Sequence, residues 1–261
     1  MVLAWLACAA AERTPDAEAT VAVGTDADLG TDDSGAAADT GHADTSADTD
    51  TGGEILRDEF DAFDTVRWAI ADWTLADTAF VARNVSVHDG SLDLRHRGST
   101  VAGWTGGEIY SLDEFSSGVW NARITAPTEP GTVCAFFFYS WADDADGGVT
   151  NEIDVELLAG KAMVGTYADW HEGDGYETSP THEWAWVEAE NAGAHDYGLA
   201  WTPAGVAFTM DGVEVAHFTT AVPAGNMALH FNHWTTDGWD DVAGPPDAND
   251  LHCTVDWVAG G

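Results

Sequence analysis

Asn151-Glu152-Ile153-Asp154-Val155-Glu156-Leu157-Leu158 alternates carboxylates with branched apolar residues. Successive side chains of a β-strand leave by opposite faces. The pattern therefore puts Glu152, Asp154 and Glu156 on one face and sends Ile153, Val155 and Leu157 into a core. A solvated strand face is the ordinary meaning of an acidic row. Like charges at i, i+2 and i+4 nevertheless repel, and sharing protons relieves the repulsion by keeping a carboxylate protonated near neutral pH. The two glutamates are four residues apart, about 13 Å along a strand. With both side chains leaning inward, roughly 5 Å separates the carboxylates, which is the spacing of a retaining glycosidase rather than the ~6.5–9.5 Å of an inverting one.

Outward from this strand the texture is the same on both sides. Val85 to Leu94, Gly118 to Ala126, Thr132 to Tyr139, Ala162 to Tyr167, His195 to Trp201, Val206 to Met210, Val213 to Phe218, Met227 to Trp234 and Leu251 to Val258 read as short strands between Gly, Asp, Asn and Pro turns. Asp211-Gly212 sits between two of them as a two-residue hairpin turn. Long helical periodicity is missing. Many short strands with frequent turn signals make an all-β sandwich or jelly roll the expected fold.

The first fifth of the chain has a different composition. Residues 12–53 hold 11 acidic residues, one base and no aromatic side chain, too little apolar surface to offset ordering. They read as a disordered acidic linker, with calcium binding disfavoured because the spaced pattern and closing glutamate are lacking. Ahead of it, residues 1–11 (MVLAWLACAAA) resemble the end of a bacterial lipoprotein signal whose cysteine, here Cys8, is lipidated. Plain secretion is the alternative, and a signal of this kind needs a longer apolar region than these residues supply. The expected folded domain is 54–261. The net charge of −38 with a single lysine, Lys161, excludes nucleic acid and anionic membrane as partners, and favours a neutral over a polyanionic substrate. Cys134 and Cys253 lie in strand-like segments, where a disulfide and two buried thiols are both open.

With these segments in order, the chain resembles glycoside hydrolase family 16. Glu152-Ile153-Asp154-Val155-Glu156 is similar to its active-site signature. Glu59-Phe60-Asp61-Ala62-Phe63-Asp64 with Trp68 resembles the opening strand, and Asn84-Val85-Ser86-Val87 with Gly90-Ser91-Leu92-Asp93-Leu94 the second hairpin. Gly107-Glu108-Ile109-Tyr110-Ser111, Gly131 to Tyr139, His195 to Pro203, Asn232-His233-Trp234 and Val255-Asp256-Trp257-Val258 follow in the family's order. The resemblance implies a concanavalin-like sandwich of two curved antiparallel sheets with glycan across the concave face. It implies Glu152 as nucleophile, Glu156 as acid/base and Asp154 assisting between them. The residues agree with these roles, since two acidic neighbours raise the pKa of Glu156. The single residue between Asp154 and Glu156 resembles the lichenase and transglycosylase branch; laminarinase-like members carry a further residue there, a bulge. The chain departs from lichenases at Thr150, where they carry Trp, and at Tyr110, where they carry Arg.

Sugar rings stack on aromatic faces. Trp104, Trp141, Trp170, Trp234 and Trp239 are the expected platforms, each with half-buried packing as the bland alternative, and Tyr167 matches one residue of the family's Tyr-rich strand. The resemblance adds Asn232 and Glu108 as sugar contacts. Trp68, Trp201 and Trp257 read as core. His230 and His233, at i and i+3 of a strand, face opposite ways and do not make a zinc pair. The resemblance also implies a structural calcium far from the active site, held by backbone oxygens near the first strand and an Asp in the last, at positions matching Glu59, Gly90 and Asp256, and no cofactor for catalysis. The expected protein is a monomeric, secreted or envelope-anchored retaining endo-β-glucanase with mixed-linkage β-1,3-1,4-glucan favoured. The alternatives are an agarase or other galactanase, a glucan transglycosylase, and a non-catalytic lectin-like module on the same sandwich.

Overall fold

The computed structural model describes residues 55–99, 101–140, 149–171, 182–187, 192–235 and 250–261, without the side chains of 170 and 171. The expectations for 1–11, Cys8, 12–53, Trp141 and Trp239 lie outside the described residues, as does that for the Trp170 ring. Within them the chain forms β1 (Leu56–Asp58), β2 (Trp68–Ile70), β3 (Thr74–Leu75), β4 (Thr78–Phe80), β5 (Val85–His88), β6 (Ser91–Ser99), β7 (Gly103–Phe115), β8 (Gly118–Thr125) and β9 (Thr132–Tyr139). It continues through β10 (Val149–Leu158), β11 (Lys161–His171), β12 (His182–Val187), β13 (Ala194–Thr202), β14 (Gly205–Met210), β15 (Val213–Phe218), β16 (Met227–Thr235) and β17 (Asp250–Gly260). Among the described residues the one helical segment is a 3-10 turn, Ala82–Asn84.

Two antiparallel sheets result. One runs β2–β7–β16–β9–β10–β11–β12. The other runs β5–β6–β17–β8–β13–β14–β15, and β7 joins the two by pairing with β6 at its start and with β16 further on. The all-β sandwich follows the sequence reading. Val85 to Leu94, read as a strand from its alternation and as a hairpin from the family resemblance, is the hairpin. Asp89 (φ 54°) and Gly90 (φ 77°) turn the chain between β5 and β6, the backbone that an Asp-Gly pair adopts at little cost. Asp211 (φ 50°) and Gly212 (φ 75°) make the expected turn between β14 and β15.

The alternation in β10 and β9 decides where the core lies. Ile153, Val155 and Leu157 with Cys134, Phe136 and Phe138 point between the sheets, where they meet Trp120, Leu199, Trp201, Phe231 and Val255. Phe136 stacks on Phe231 at 5.3 Å, and Phe138 packs edge-on against Trp120 at 5.1 Å. Each such side chain contributes about 1.5–3 kcal/mol of burial. Cys134 and Cys253 form a disulfide through this core, tying β9 of one sheet to β17 of the other. The outer face of the first sheet carries a second apolar cluster of Leu75, Phe80, Val133, Ala135, Phe137, Tyr139, Leu158, Met163 and Trp234. Strand β9 is therefore covered on both faces, which explains its unbroken apolar run. Trp68 and Trp201 are core as expected. Trp257 is only half-buried, under the Arg57 guanidinium, because β17 bulges between Val255 and Trp257 and turns its ring out.

Candidate active site

The three carboxylates of β10 share the outer face of the first sheet, with Glu152 2%, Asp154 5% and Glu156 9% exposed. Pairing is continuous from Glu152 to Leu157 on the β9 side and to Leu158 on the β11 side, so no bulge re-aims Glu156. The irregularity lies one step earlier. Between Thr150 and Glu152, strand β11 contributes an extra residue, Asp169 sits at φ 53°, and its N–H donates to Asn151 Oδ1 at 3.0 Å.

Cross-strand neighbours, whose side chains share a face about 4.5–5.5 Å apart, give each acid a different setting. Glu152 lies between Tyr139 and Tyr167, two phenols. Asp154 lies between Phe137 and Gly165, and Glu156 between Ala135 and Met163. Burial among these apolar neighbours raises the Asp154 pKa to about 8, against which works a hydrogen bond shared with Glu152. Burial also holds Glu156 well above the usual carboxylate range, and the charge of Asp154 pushes it the same way. Acidic neighbours alone were expected to raise Glu156; desolvation is the larger cause. The outcome is that Asp154, hydrogen-bonded to Glu152, and Glu156 both hold their protons above the usual carboxylate range.

The same face carries four of the five expected sugar contacts that lie among the described side chains. Asn232 pairs in register with Glu108 on one side and Ala135 on the other. Glu108 is buried, receives a hydrogen bond from His230 Nδ1 at 3.0 Å and another from Asn232, and still has a raised pKa because desolvation outweighs both. His230 stacks on Phe137 at 4.7 Å and on Tyr110 at 5.5 Å. His233 leaves by the other face, its Nδ1 2.9 Å from the Leu94 carbonyl, as the strand period requires. Tyr167 is buried and stacks on His182 at 5.8 Å. Trp234 is on this face but buried in its apolar cluster. Trp104 was expected as a platform. It lies where β7 pairs with β6, is buried, and stacks on His96 at 5.1 Å, so its role is packing.

The sequence reading missed β12. His182, Trp184 and Trp186 pair with Tyr167, Gly165 and Met163, which puts all three on the carboxylate face. Their spacing, polar or aromatic at 182, 184 and 186 with Glu183, Ala185 and Val187 between, is the period-2 signal that identifies such a strand.

The expected calcium residues do come to one edge. β1 and β6 both pair along β17, and Ser91, next to Gly90, donates to Asp256 Oδ1 at 3.0 Å. The carboxylates there are already engaged. Asp256 Oδ2 is 3.6 Å from Arg123 Nε, and Glu59 pairs with Arg57. Among the described residues no group of three or more His, Cys, Asp or Glu gathers for a metal. The expected site draws on backbone oxygens at Glu59 and Gly90 beside Asp256, and these side-chain pairings do not test it.

Comparison with known proteins agrees with this geometry. The family model described as Glycosyl hydrolases family 16 matches residues 73–259. A Beta-glucanase of Acetivibrio thermocellus is 27% identical over 192 residues, 71% of this chain and 55% of that protein. A Beta-glucanase of Fibrobacter succinogenes is 33% identical over 140 residues, 51% of this chain and 40% of that protein. The chain thus spans about half the length of these curated relatives. Among solved structures, a prokaryotic beta-1,3-1,4-glucanase (lichenase) derived from a mouse hindgut metagenome has a TM-score of 0.66 and 25% identity, covering 78% of this chain and 97% of that one. A family match over most of the chain, from β3 into β17, coincides with the sandwich and its three buried carboxylates, and the chain belongs to glycosyl hydrolases family 16.

Proposed function

We propose that the chain is a retaining endo-β-glucanase acting on mixed-linkage β-1,3-1,4-glucan. The observation that carries this reading is the shared face of Glu152, Asp154 and Glu156, with Asp154 hydrogen-bonded to Glu152 and Glu156 held protonated by burial. Glu152 attacks the anomeric carbon as Glu156 gives its proton to the departing glycosidic oxygen; the C–O bond breaks and a Glu152–sugar ester forms. Glu156, now a carboxylate, takes a proton from water, and the water oxygen displaces Glu152. Asp154 orients Glu152 through their hydrogen bond and shares its proton, so the site holds fewer than three charges. Glu108 and Asn232 supply polar sugar contacts beside the acids. No cofactor takes part.

The substrate assignment draws on the relatives' names and on charge. Curated relatives include Beta-glucanases and an Endo-1,3-1,4-beta-glycanase ExoK from Rhizobium meliloti, 27% identical over 200 residues. A chain of net charge −38 favours a neutral glucan over an anionic polysaccharide. The buried Cys134–Cys253 disulfide supports folding in an oxidising, extracytoplasmic compartment. In this reading the enzyme is a monomer, secreted or held at the envelope through Cys8.

Reducing-sugar release from barley-type glucan, laminarin and agarose tests the assignment. The expected result is release from the mixed-linkage glucan, abolished in Glu152→Gln. Cleavage of agarose alone makes the protein a galactanase, and retention on polysaccharide without cleavage makes it a binding module.

A further inference from the structure

One row of paired residues crosses the first sheet through the middle carboxylate: Tyr110, His230, Phe137, Asp154, Gly165 and Trp184, from β7 to β12. Its five strand steps span about 24 Å. The interior of the row is buried. At its β12 end Trp184 is 37% exposed, an indole open to solvent on the face that holds the acids. The aromatic residues named from sequence as platforms, where described, are covered: Trp104, Trp234 and Tyr167 are all buried.

Gly165 lies between Trp184 and the acid. Its backbone does not need a glycine, since it is absent from the positive-φ positions. Its surroundings do not exclude a side chain either. A Cβ there would lie 3.7 Å from Asp154 Oδ2 and 3.7 Å from Trp184 Cβ, both ordinary contacts. Glycine weakens a strand interior and often marks a bulge, a bend or a place where a ligand approaches closely. Here it leaves no side chain between a carboxyl and an exposed indole. Edge strand β12 is also fixed in place. Glu183, on its other face, accepts from the N–H groups of Thr220 and Ala221 at 2.7 and 3.2 Å, and Lys161 sits over the Trp186 ring at 5.8 Å.

We propose that Trp184 is a saccharide platform. It stacks on a pyranose unit one flank away from the scissile bond, and Gly165 makes room for the chain to cross from Asp154 to that indole. The ligand class is a neutral β-linked glucan. The inference rests on the glucanase reading above and adds to it which edge of the sheet binds the polymer and through which ring. Trp186, one row over beside Met163, borders the same subsite.

The test compares the whole chain with Trp184→Ala, Trp184→Phe and Gly165→Val. Kinetics are measured on barley-type glucan, and retardation is measured in native gels holding the same glucan. One stacked ring lost corresponds to about a tenfold loss in kcat/KM. That loss is expected in Trp184→Ala, mainly through KM and with reduced retardation. Trp184→Phe recovers most of it. Gly165→Val, whose Cβ meets only ordinary contacts, loses affinity. Wild-type KM and retardation in both Trp184→Ala and Gly165→Val overturn the platform. A wild-type chain that neither cleaves nor is retarded overturns the glucanase reading with it. Cleavage by wild type with unchanged variants removes the platform alone.

Discussion

Asp154 and Glu152, two residues apart on one strand face, share a hydrogen bond in a setting so desolvated that Asp154 holds its proton to about pH 8. That relationship resolves the repulsion expected of three aligned acids. A face carrying three full charges would oppose folding, whereas a face on which two protons persist does not. On the proposed reading it also separates the roles: the residue flanked by tyrosines attacks, and the residue flanked by Ala135 and Met163 gives the proton.

Stability follows from the same burial, with a definite sign. Asp154 binds its proton more tightly folded than unfolded, so its contribution to stability is greatest below about pH 4 and falls as the pH rises toward 8. Asp154→Asn has no such loss. Thermal unfolding of the two proteins should show the variant gaining on wild type as pH rises from 4 to 8, by on the order of 10 °C at the upper end. A gap that stays constant across this range contradicts the raised pKa.

The pH profile of kcat/KM tests the coupling to Glu156. Its pKa is held up by burial first and by the charge of Asp154 second. Removing that charge in Asp154→Asn should move the alkaline limb to lower pH, with kcat also reduced because Glu152 no longer shares a proton with residue 154. An alkaline limb that stays in place would assign it to another group.

Beside the acids, Glu108 and His230 form a buried pair whose cost is set by what each leaves behind. His230→Phe keeps the stacking on Phe137 while stripping the buried carboxyl of a donor. The expected loss is about 3 kcal/mol by urea titration, and Glu108→Gln should restore part of it in the double variant. Independent, additive losses would mean the pair is not coupled.

Much of this was legible in the sequence, for a physical reason. The period-2 alternation of β10 fixes which acids share a face, and the continuous apolar run of β9 signals a strand covered on both sides. Asp211-Gly212 announced its turn. What escaped was the long-range partnering. Whether Cys134 reaches Cys253 depends on β9 and β17 facing each other across the core, and desolvation of Glu156 depends on which side chains β9 and β11 bring alongside. Trp184 was readable in its alternation with Glu183 and Ala185 but not placeable, because its value comes from register with Gly165 and Asp154. Trp104 looked like a loop platform until β6 paired with its strand.

The disulfide closes a span of 119 residues, for which the chain-entropy model gives about 5 kcal/mol. The Cys134→Ala/Cys253→Ala double variant should lose stability of that order or somewhat less, with kcat at low temperature unchanged, since both cysteines lie in the core layer opposite the acids. Equal stability with and without reductant would show the bond to be dispensable.

The measurement that bears most directly on the account is mass spectrometry of the enzyme after incubation with a slow-turnover fluorinated β-glucoside that traps a glycosyl-enzyme. The account predicts one added sugar, on the peptide holding Glu152 and on that side chain. A label on Glu156 or elsewhere, or products released with inverted anomeric configuration and no covalent adduct, would contradict it.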